Sequence, residues 1–318
     1  MKAAVLRNFR GEFSIEDVEP QRLPAGWVRV KVRAVGVCGR DLVVWKGGFR
    51  NLKPPLILGH EVFGELNGDP VGVYPGVVDE SCVERGIPEN LCPSYSILGE
   101  TMPGGYAEYV DVPRRNVVPL PDRRFEAYAA SVCGLATFIH ASKVAGVRSG
   151  DSVLVTGASG GVSVHGMQYL QIMGVKVVGV TRNAEKAKTI ERELGIEVYT
   201  SFDEARQKHG KFDAVFEVVG APTINDSMRA VKPGGVVVLI GNVEGTPIVI
   251  NRPALLVMRE IKIVGSAAYT REEYEEAVRI AASGSVKPFY RVYKLEDINR
   301  AYRDILEGRL IGRAVLVP

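Results

Sequence analysis

The loop Gly157-Ala158-Ser159-Gly160-Gly161-Val162-Ser163 joins an apolar strand (DSVLVTG) to a helix (VSVHGMQYLQIMG) and a second strand (VKVVGVT). Few patterns restrict a fold as tightly. Glycines let the backbone turn sharply and approach a pyrophosphate, while the helix start offers free N–H groups and the positive end of its dipole. Val153–Arg182 therefore reads as a dinucleotide-binding unit, with Gly157, Ser159, Gly160, Gly161 and Val162 around the phosphates of a nicotinamide cofactor. A merely structural turn leaves the three glycines and the second strand unexplained. Ser163 replaces the usual third glycine, which predicts slightly looser helix–strand packing.

The second strand ends in Thr181-Arg182-Asn183. An acid usually stands about 20 residues beyond such a loop and binds the ribose 2′-hydroxyl of NAD. None is present. Thr181 and Arg182, assisted by Asn183 and Lys186, suit a 2′-phosphate, which an acid repels and an arginine fork accepts. NADP(H) is expected, with NAD as the other choice. The bland alternative makes Arg182 a solvated residue, or one stacked on adenine without selecting a cofactor.

The alternation continues with EKAKTIERELG (helix), FDAVFEVVG (strand), NDSMRAVKPGG (helix end) and VVVLIG (strand). This predicts an α/β Rossmann domain with a doubly wound parallel sheet. Val219, Ile240, Gly241 and Asn242 follow strand ends, where open α/β sheets bind ligands, so they are expected near the cofactor. Residues 1–122 differ. WVRVKVRAVGV alternates like a half-buried strand, and Gly and Pro punctuate 47–105, indicating an irregular, mostly β domain. Residues 126–145 read as helix. After Gly265 a charged helix (TREEYEEAVRIAAS) leads to GRAVLVP, a tail expected to return to the first domain. The expected division is 1–122 with 266–318, and 123–265.

With 318 residues the chain has room for two such domains. A net charge of +3 argues against a nucleic-acid surface, and no apolar run reaches membrane-spanning length. No targeting signal opens the chain, so a cytoplasmic location is expected. The four cysteines, Cys38, Cys82, Cys92 and Cys133, form no CxxC pair. In an intracellular enzyme they suggest metal or catalysis before disulfides.

Cys38, His60 and Cys133 supply thiolate, imidazole and thiolate, a set that suits zinc with one position left open. Spacing alone is poor evidence, since a buried Cys is often a small apolar residue. The surrounding stretches are more specific: VCGRD (37–41), PLILGHEVFGE (55–65), GGYAEYVDV (104–112), the small-residue helix around Cys133, VTGASGGV, FDAVFEVVG and GRAVLVP. Through them the chain resembles zinc-type medium-chain alcohol dehydrogenases from end to end. VCGRD and VLVTGASGGV are most similar to archaeal alcohol dehydrogenase-like and acryloyl-coenzyme A reductase-like members. The resemblance implies a GroES-like fold for the mostly β domain. It also implies one catalytic zinc on Cys38, His60 and Cys133, with Glu61 as exchangeable fourth ligand or near neighbour. Asp41 would support the metal shell, and Arg313 would reach the cofactor phosphates. A homodimer or homotetramer would form through strands near 243–265. Without the resemblance, Asp41 is a helix-start residue and Arg313 a surface arginine. The related quinone-reductase branch keeps a similar pocket without metal.

Two departures stand out. The family's alcohol-oxidising members carry a Ser or Thr relay where this chain has Arg40, a poor relay base suited to an anionic group or cofactor phosphate. Of the family's four structural-zinc cysteines, only Cys82 and Cys92 fall in that region, too few for a tetrahedral site. They are a relic pair, buried thiols or a disulfide. Trp45, Phe49 and Tyr95 either line an apolar pocket or belong to the core. His140, His165 and His209 read as structural or surface residues.

The expected activity is zinc-dependent, NADP(H)-linked interconversion of carbonyl compounds and alcohols, favouring reduction of bulky or cyclic substrates. Cys38, His60, Arg40 and Asp41 are its candidate catalytic residues. One rival is reduction of a conjugated double bond, as in acryloyl-coenzyme A or quinones. Another is a non-catalytic NADPH-binding scaffold.

Overall fold

The computed structural model describes residues 1–318 and divides into two compact units, Met1–Cys133 with Tyr269–Pro318, and Gly134–Ala268. The division falls inside the helix Phe125–Ala145, beyond the 122/123 boundary read from sequence, because that helix runs unbroken through it.

The first unit is built on a seven-stranded sheet. Its long strand Trp27–Val37 alternates buried and more exposed residues over its first half and is wholly buried over its last four. It pairs antiparallel with Glu61–Leu66, Tyr109–Pro113 and Arg313–Val317. Ala314 lies opposite Val37 and Leu316 opposite Val35, so the terminal GRAVLVP does return to this unit. Val30, Leu58, Val62, Tyr106, Val112 and Leu316 are fully buried around it. Burial of each such side chain contributes about 1.5–3 kcal/mol, which pins the strand ends that carry Cys38 and Glu61.

A small lobe holds the helix Glu80–Glu84 and a 3-10 turn, Glu89–Leu91. Cys82 and Cys92 form a disulfide across it, with Cα atoms 6.1 Å apart. This is one of the three states open from sequence. Val78, Ile87 and Tyr95 pack against the bridge.

The second unit is a six-stranded parallel sheet. In spatial order its strands are Glu197–Tyr199, Lys176–Val180, Ser152–Thr156, Phe212–Glu217, Val231–Leu239 and Lys262–Gly265. Val153, Leu154 and Val155 are completely buried, as expected of a parallel strand covered on both faces. The strand order reverses between Ser152–Thr156 and Phe212–Glu217. That reversal is the topological switch point of a Rossmann sheet, where ligands bind. Residues 243–265 differ from expectation: only Lys262–Gly265 is a strand, at the sheet edge, preceded by the helix Ala254–Arg259. Pro247 and Pro253 lack the N–H that a ladder needs. No helix is long and apolar enough to cross a membrane.

Candidate functional site, a metal centre and a cofactor loop

Cys38 follows the strand Trp27–Val37 and caps the helix Gly39–Trp45. Asp41 turns back from the first turn of that helix, and its Oδ2 accepts the Cys38 N–H at 2.8 Å. The same carboxylate faces His60 Nδ1 at 3.2 Å and accepts the Tyr106 hydroxyl at 2.9 Å. Asp41 is thus a helix-start residue and a support for His60 at once. Gly59, with φ +95°, turns the chain just before His60; a Cβ there would lie 2.4 Å from the Tyr106 ring. Glu61 opens the next strand, and its carboxylate fits only because Gly36 has no side chain: a Cβ there would lie 2.0 Å from Glu61 Oε2. Cys133 comes from the helix Phe125–Ala145.

The donor atoms of Cys38, His60, Glu61 and Cys133 all lie within 4.8 Å of one another, and all four residues are buried. Their titration is interlocked. A hydrogen bond from Cys133 holds the Cys38 thiol well below its ordinary range, against the cost of burial, and the charges of Arg313 and His60 assist. The same bond, with burial, pushes Cys133 well up. Burial opposes a charged His60, but Asp41 and Cys38 outweigh it and hold the imidazole protonated. Burial pushes Glu61 up to about 8, although Arg313 works against it. Neither Glu61 oxygen accepts a hydrogen bond. A thiolate, an imidazole, a second thiol and a buried carboxyl group that accepts no hydrogen bond converge here, and a divalent borderline cation would take the place of the protons they hold. The residues present therefore fit zinc.

Two arginines are paired with buried carboxylates. Arg313 is only 4% exposed, and its Nη2 lies 2.9 Å from Glu61 Oε1. The strand Arg313–Val317 runs beside Trp27–Val37, which brings the guanidinium to the metal cluster. Arg40 is not a free anion receptor. Its Nε and Nη2 both donate to Glu100, a buried carboxylate, and its guanidinium carbon sits 4.8 Å from the centre of the Phe49 ring. Burial lowers Arg40, but the Glu100 hydrogen bond and charge more than offset it. Tyr95, half-buried, adjoins this pair and is pushed up to about 12, chiefly by burial. Trp45 belongs to the core, donating to the Gly11 carbonyl at 2.8 Å and packing on Tyr302.

In the second unit the loop 157–160 leads into the helix Gly161–Ile172, capped by Gly160 with no side-chain hydrogen bond, so no side chain of the cap satisfies its first N–H groups. Ser163 corrects one expectation. Its side chain is fully buried, and its hydroxyl donates to the Thr156 carbonyl at 2.9 Å, tying helix to strand where a glycine would only touch. Ser159 and Thr181 hydroxyls meet at 3.1 Å. Arg182 is exposed, with no hydrogen bond or ion pair. Asn183 is already engaged: its Oδ1 caps the helix Ala184–Leu194 by accepting the Lys186 N–H at 3.0 Å. Burial lowers the half-buried Lys186 ammonium.

The turn after Phe212–Glu217 is organised by Glu217, which the sequence reading passed over. Its Oε1 accepts from Thr156 Oγ1 at 2.8 Å, Val219 N at 3.0 Å, Gly220 N at 2.8 Å and Thr223 Oγ1 at 2.7 Å. Val219 is thereby held beside Gly157. Ile240 donates to the Glu217 carbonyl at 2.9 Å, and the Asn242 amide is spent on the Thr246 carbonyl at 2.7 Å. His165 is structural, with Nδ1 2.7 Å from the Gly161 carbonyl oxygen; His209 pairs with Glu197 at the surface; and His140 is half-buried. Glu100 and Tyr106 were also missed as partners. GGYAEYVDV marks Tyr106's neighbourhood, but nothing local points Glu100 at Arg40.

Residues 24–122 match the alcohol dehydrogenase GroES-like domain, and residues 161–283 match the zinc-binding dehydrogenase family. An acryloyl-coenzyme A reductase from Metallosphaera sedula is 32% identical over 99% of both chains. An alcohol dehydrogenase from Geobacillus stearothermophilus is 34% identical, again over 99% of both. The crystal structure of the alcohol dehydrogenase from the hyperthermophilic archaeon Aeropyrum pernix matches with a TM-score of 0.91 at 26% identity, covering 100% of both chains. By its sequence and fold, the chain belongs to the zinc-type medium-chain alcohol dehydrogenase superfamily and is an oxidoreductase.

Proposed function

We propose that the chain is a zinc-dependent, NADP(H)-linked enzyme that interconverts carbonyl compounds and alcohols, acting mainly as a carbonyl reductase. The observation that carries this reading is the convergence of Cys38, His60, Glu61 and Cys133 donor atoms within 4.8 Å in a buried cluster. Cys38, His60 and Cys133 would hold the ion, and Glu61 would be its exchangeable neighbour. Bound there, zinc supplies Lewis-acid polarisation of a substrate carbonyl oxygen. Asp41 fixes the His60 ring through Nδ1, so that Nε2 faces the cluster. Arg313 offsets the Glu61 charge at 2.9 Å. In the second unit, the start of the helix Gly161–Ile172 would take the pyrophosphate and the unpaired Arg182 the 2′-phosphate.

A second reading, reduction of a conjugated double bond, has one specific support. Arg40 replaces the hydroxyl relay and is locked to Glu100, so ordinary alcohol oxidation lacks its usual proton path. The 32% identity to an acryloyl-coenzyme A reductase points the same way. The deciding experiment is NADPH turnover with cyclohex-2-enone, beside metal analysis. Cyclohex-2-enol supports the first reading. Cyclohexanone, or turnover of enones alone without bound zinc, transfers the case to the second.

We also propose a cytoplasmic homo-oligomer that contacts its copy near the sheet-edge strand Lys262–Gly265. Val257 and Met258, 79% and 84% exposed, are large apolar side chains beside that edge.

A further inference from the structure

Two buried hydrogen-bonded arms meet at Thr156, the last residue of the strand Ser152–Thr156. In the first, the Ser163 hydroxyl donates to the Thr156 carbonyl at 2.9 Å and ties the two ends of the glycine loop together. In the second, the Thr156 hydroxyl donates to Glu217 Oε1 at 2.8 Å and accepts the Val218 N–H at 2.9 Å. Glu217 extends that arm: Oε1 also accepts the N–H groups of Val219 and Gly220, and Oε2 accepts the Ser227 hydroxyl. Thr156 is 1% exposed, and Ser163, Glu217 and Ser227 are fully buried, so no bulk water competes for these links.

The two arms close on one residue. Gly157 has φ +60°, and a Cβ there would lie 3.0 Å from Val219 Cγ2 and 4.0 Å from Ser163 Oγ. The turn 218–220 is also fixed from its far side, where the Val243 N–H donates to the Val219 carbonyl at 3.1 Å. A loop with three glycines among residues 157–161 is costly to order, and a ligand that must order it binds the more weakly. Here the ordering is done from beneath by side chains, one of which, Ser163, a glycine at that position would lack. We propose that Thr156 is a positioning residue, the joint of a Ser163–Thr156–Glu217 relay that holds the glycine loop and the turn 218–220 as one preformed cradle for the dinucleotide. This deepens the function proposed above and rests on the cofactor lying at the glycine loop.

The test is made on the full-length protein supplied with zinc. NADPH and NADH are each titrated by fluorescence, and the tighter binder becomes the probe for the variants; which of the two it is bears separately on the NADP(H) reading. Thr156→Val keeps the shape and removes the hydroxyl. It raises the dissociation constant about tenfold, the worth of one buried hydrogen bond. Thr156→Ser restores the hydroxyl and returns the constant to within about threefold of the starting value. Amide hydrogen exchange before cofactor is added separates a relay from local packing. Ser163→Ala touches only the loop arm, yet it speeds exchange in the turn 218–220 by about threefold. A merely structural role lowers the fraction of protein that binds, leaves the constant of that fraction unchanged and confines the Ser163→Ala effect to the loop. If Thr156→Val does not fold, Ser163→Ala decides by both measurements, with its constant raised about threefold. The proposal is overturned by binding of neither cofactor to the unmodified protein, by an unchanged constant in Thr156→Val, by failure of Thr156→Ser to restore it, or by exchange in 218–220 that Ser163→Ala leaves alone.

Discussion

Arg313 Nη2 lies 2.9 Å from Glu61 Oε1, with both side chains almost completely buried: 4% and 1% exposed. No well-aligned hydrogen bond joins them, so the pair is held by charge and packing. Arg313→Leu strands the Glu61 carboxylate among Cys38, His60 and Cys133. Loss of a buried partner of this kind costs about 3–5 kcal/mol. The expected outcome for the metal-free protein above about pH 8, where Glu61 carries its charge, is a loss at the low end of that range, because the stranded carboxylate can take up a proton. Urea denaturation measures it. A loss under about 1 kcal/mol rejects the electrostatic role.

The titration of Glu61 has a definite sign. Its folded-state value, about 8, lies above the ordinary carboxylate range, so the folded protein holds a proton that the unfolded chain has released. Stability contributed by this group is present at acid pH and is lost as pH rises from the ordinary carboxylate value toward about 8. In metal-free protein, Glu61→Gln removes that part of the pH dependence. Paired denaturation curves between pH 5 and 8 (about the window of the shift) check it.

Asp41 orients His60 by a single contact at 3.2 Å. Asp41→Asn keeps the size but loses the carboxylate that supports the imidazole. Zinc affinity is expected to fall about 10–100-fold. Chelator competition gives the number, and unchanged far-ultraviolet circular dichroism excludes a collapsed fold as the reason.

Arg182 is exposed and unpaired, so its replacement disturbs no packing. Arg182→Ala should lower kcat/KM for NADPH at least tenfold, the worth of a charged hydrogen bond to phosphate, and leave NADH nearly unchanged. Equal losses with both cofactors would remove Arg182 from the 2′-phosphate site.

The Cys82–Cys92 bridge closes a loop with a sequence separation of 10. A constraint of that length stabilises by about 2–3 kcal/mol on chain-entropy grounds. The C82S/C92S protein should lose stability by that amount and yet keep one zinc per chain, because neither sulfur belongs to the metal cluster. Loss of zinc as well would show that the lobe and the cluster fold as one.

The elements were legible because their signals are local. The parallel strands show as short apolar runs, the loop 157–163 carries its glycines in sequence, and the helix Arg271–Ala282 begins with a capping box that TREE spells out. The donor set was legible for a different reason: Cys, His, Cys and Glu are chemically distinctive, and the stretches around them resemble a known family. Ser163 shows where a sequence rule misleads. A missing glycine suggested loose packing, whereas the hydroxyl supplies a 2.9 Å bond that the rule does not count.

What sequence alone determined is thus the kind of chemistry: a glycine loop on a parallel sheet, and a metal-type donor set in the mostly β unit. Tertiary structure decided which charges neutralise which. Arg40 meets Glu100 and Arg313 meets Glu61 across wide sequence separations, and neither pairing can be read from the arginine alone. The physical reason is that an arginine's identity fixes its charge and its donors, but the direction it points follows from strand register and helix placement. The register that sets Ala314 against Val37, and with it Arg313 against Glu61, is a property of the folded sheet and of no single segment.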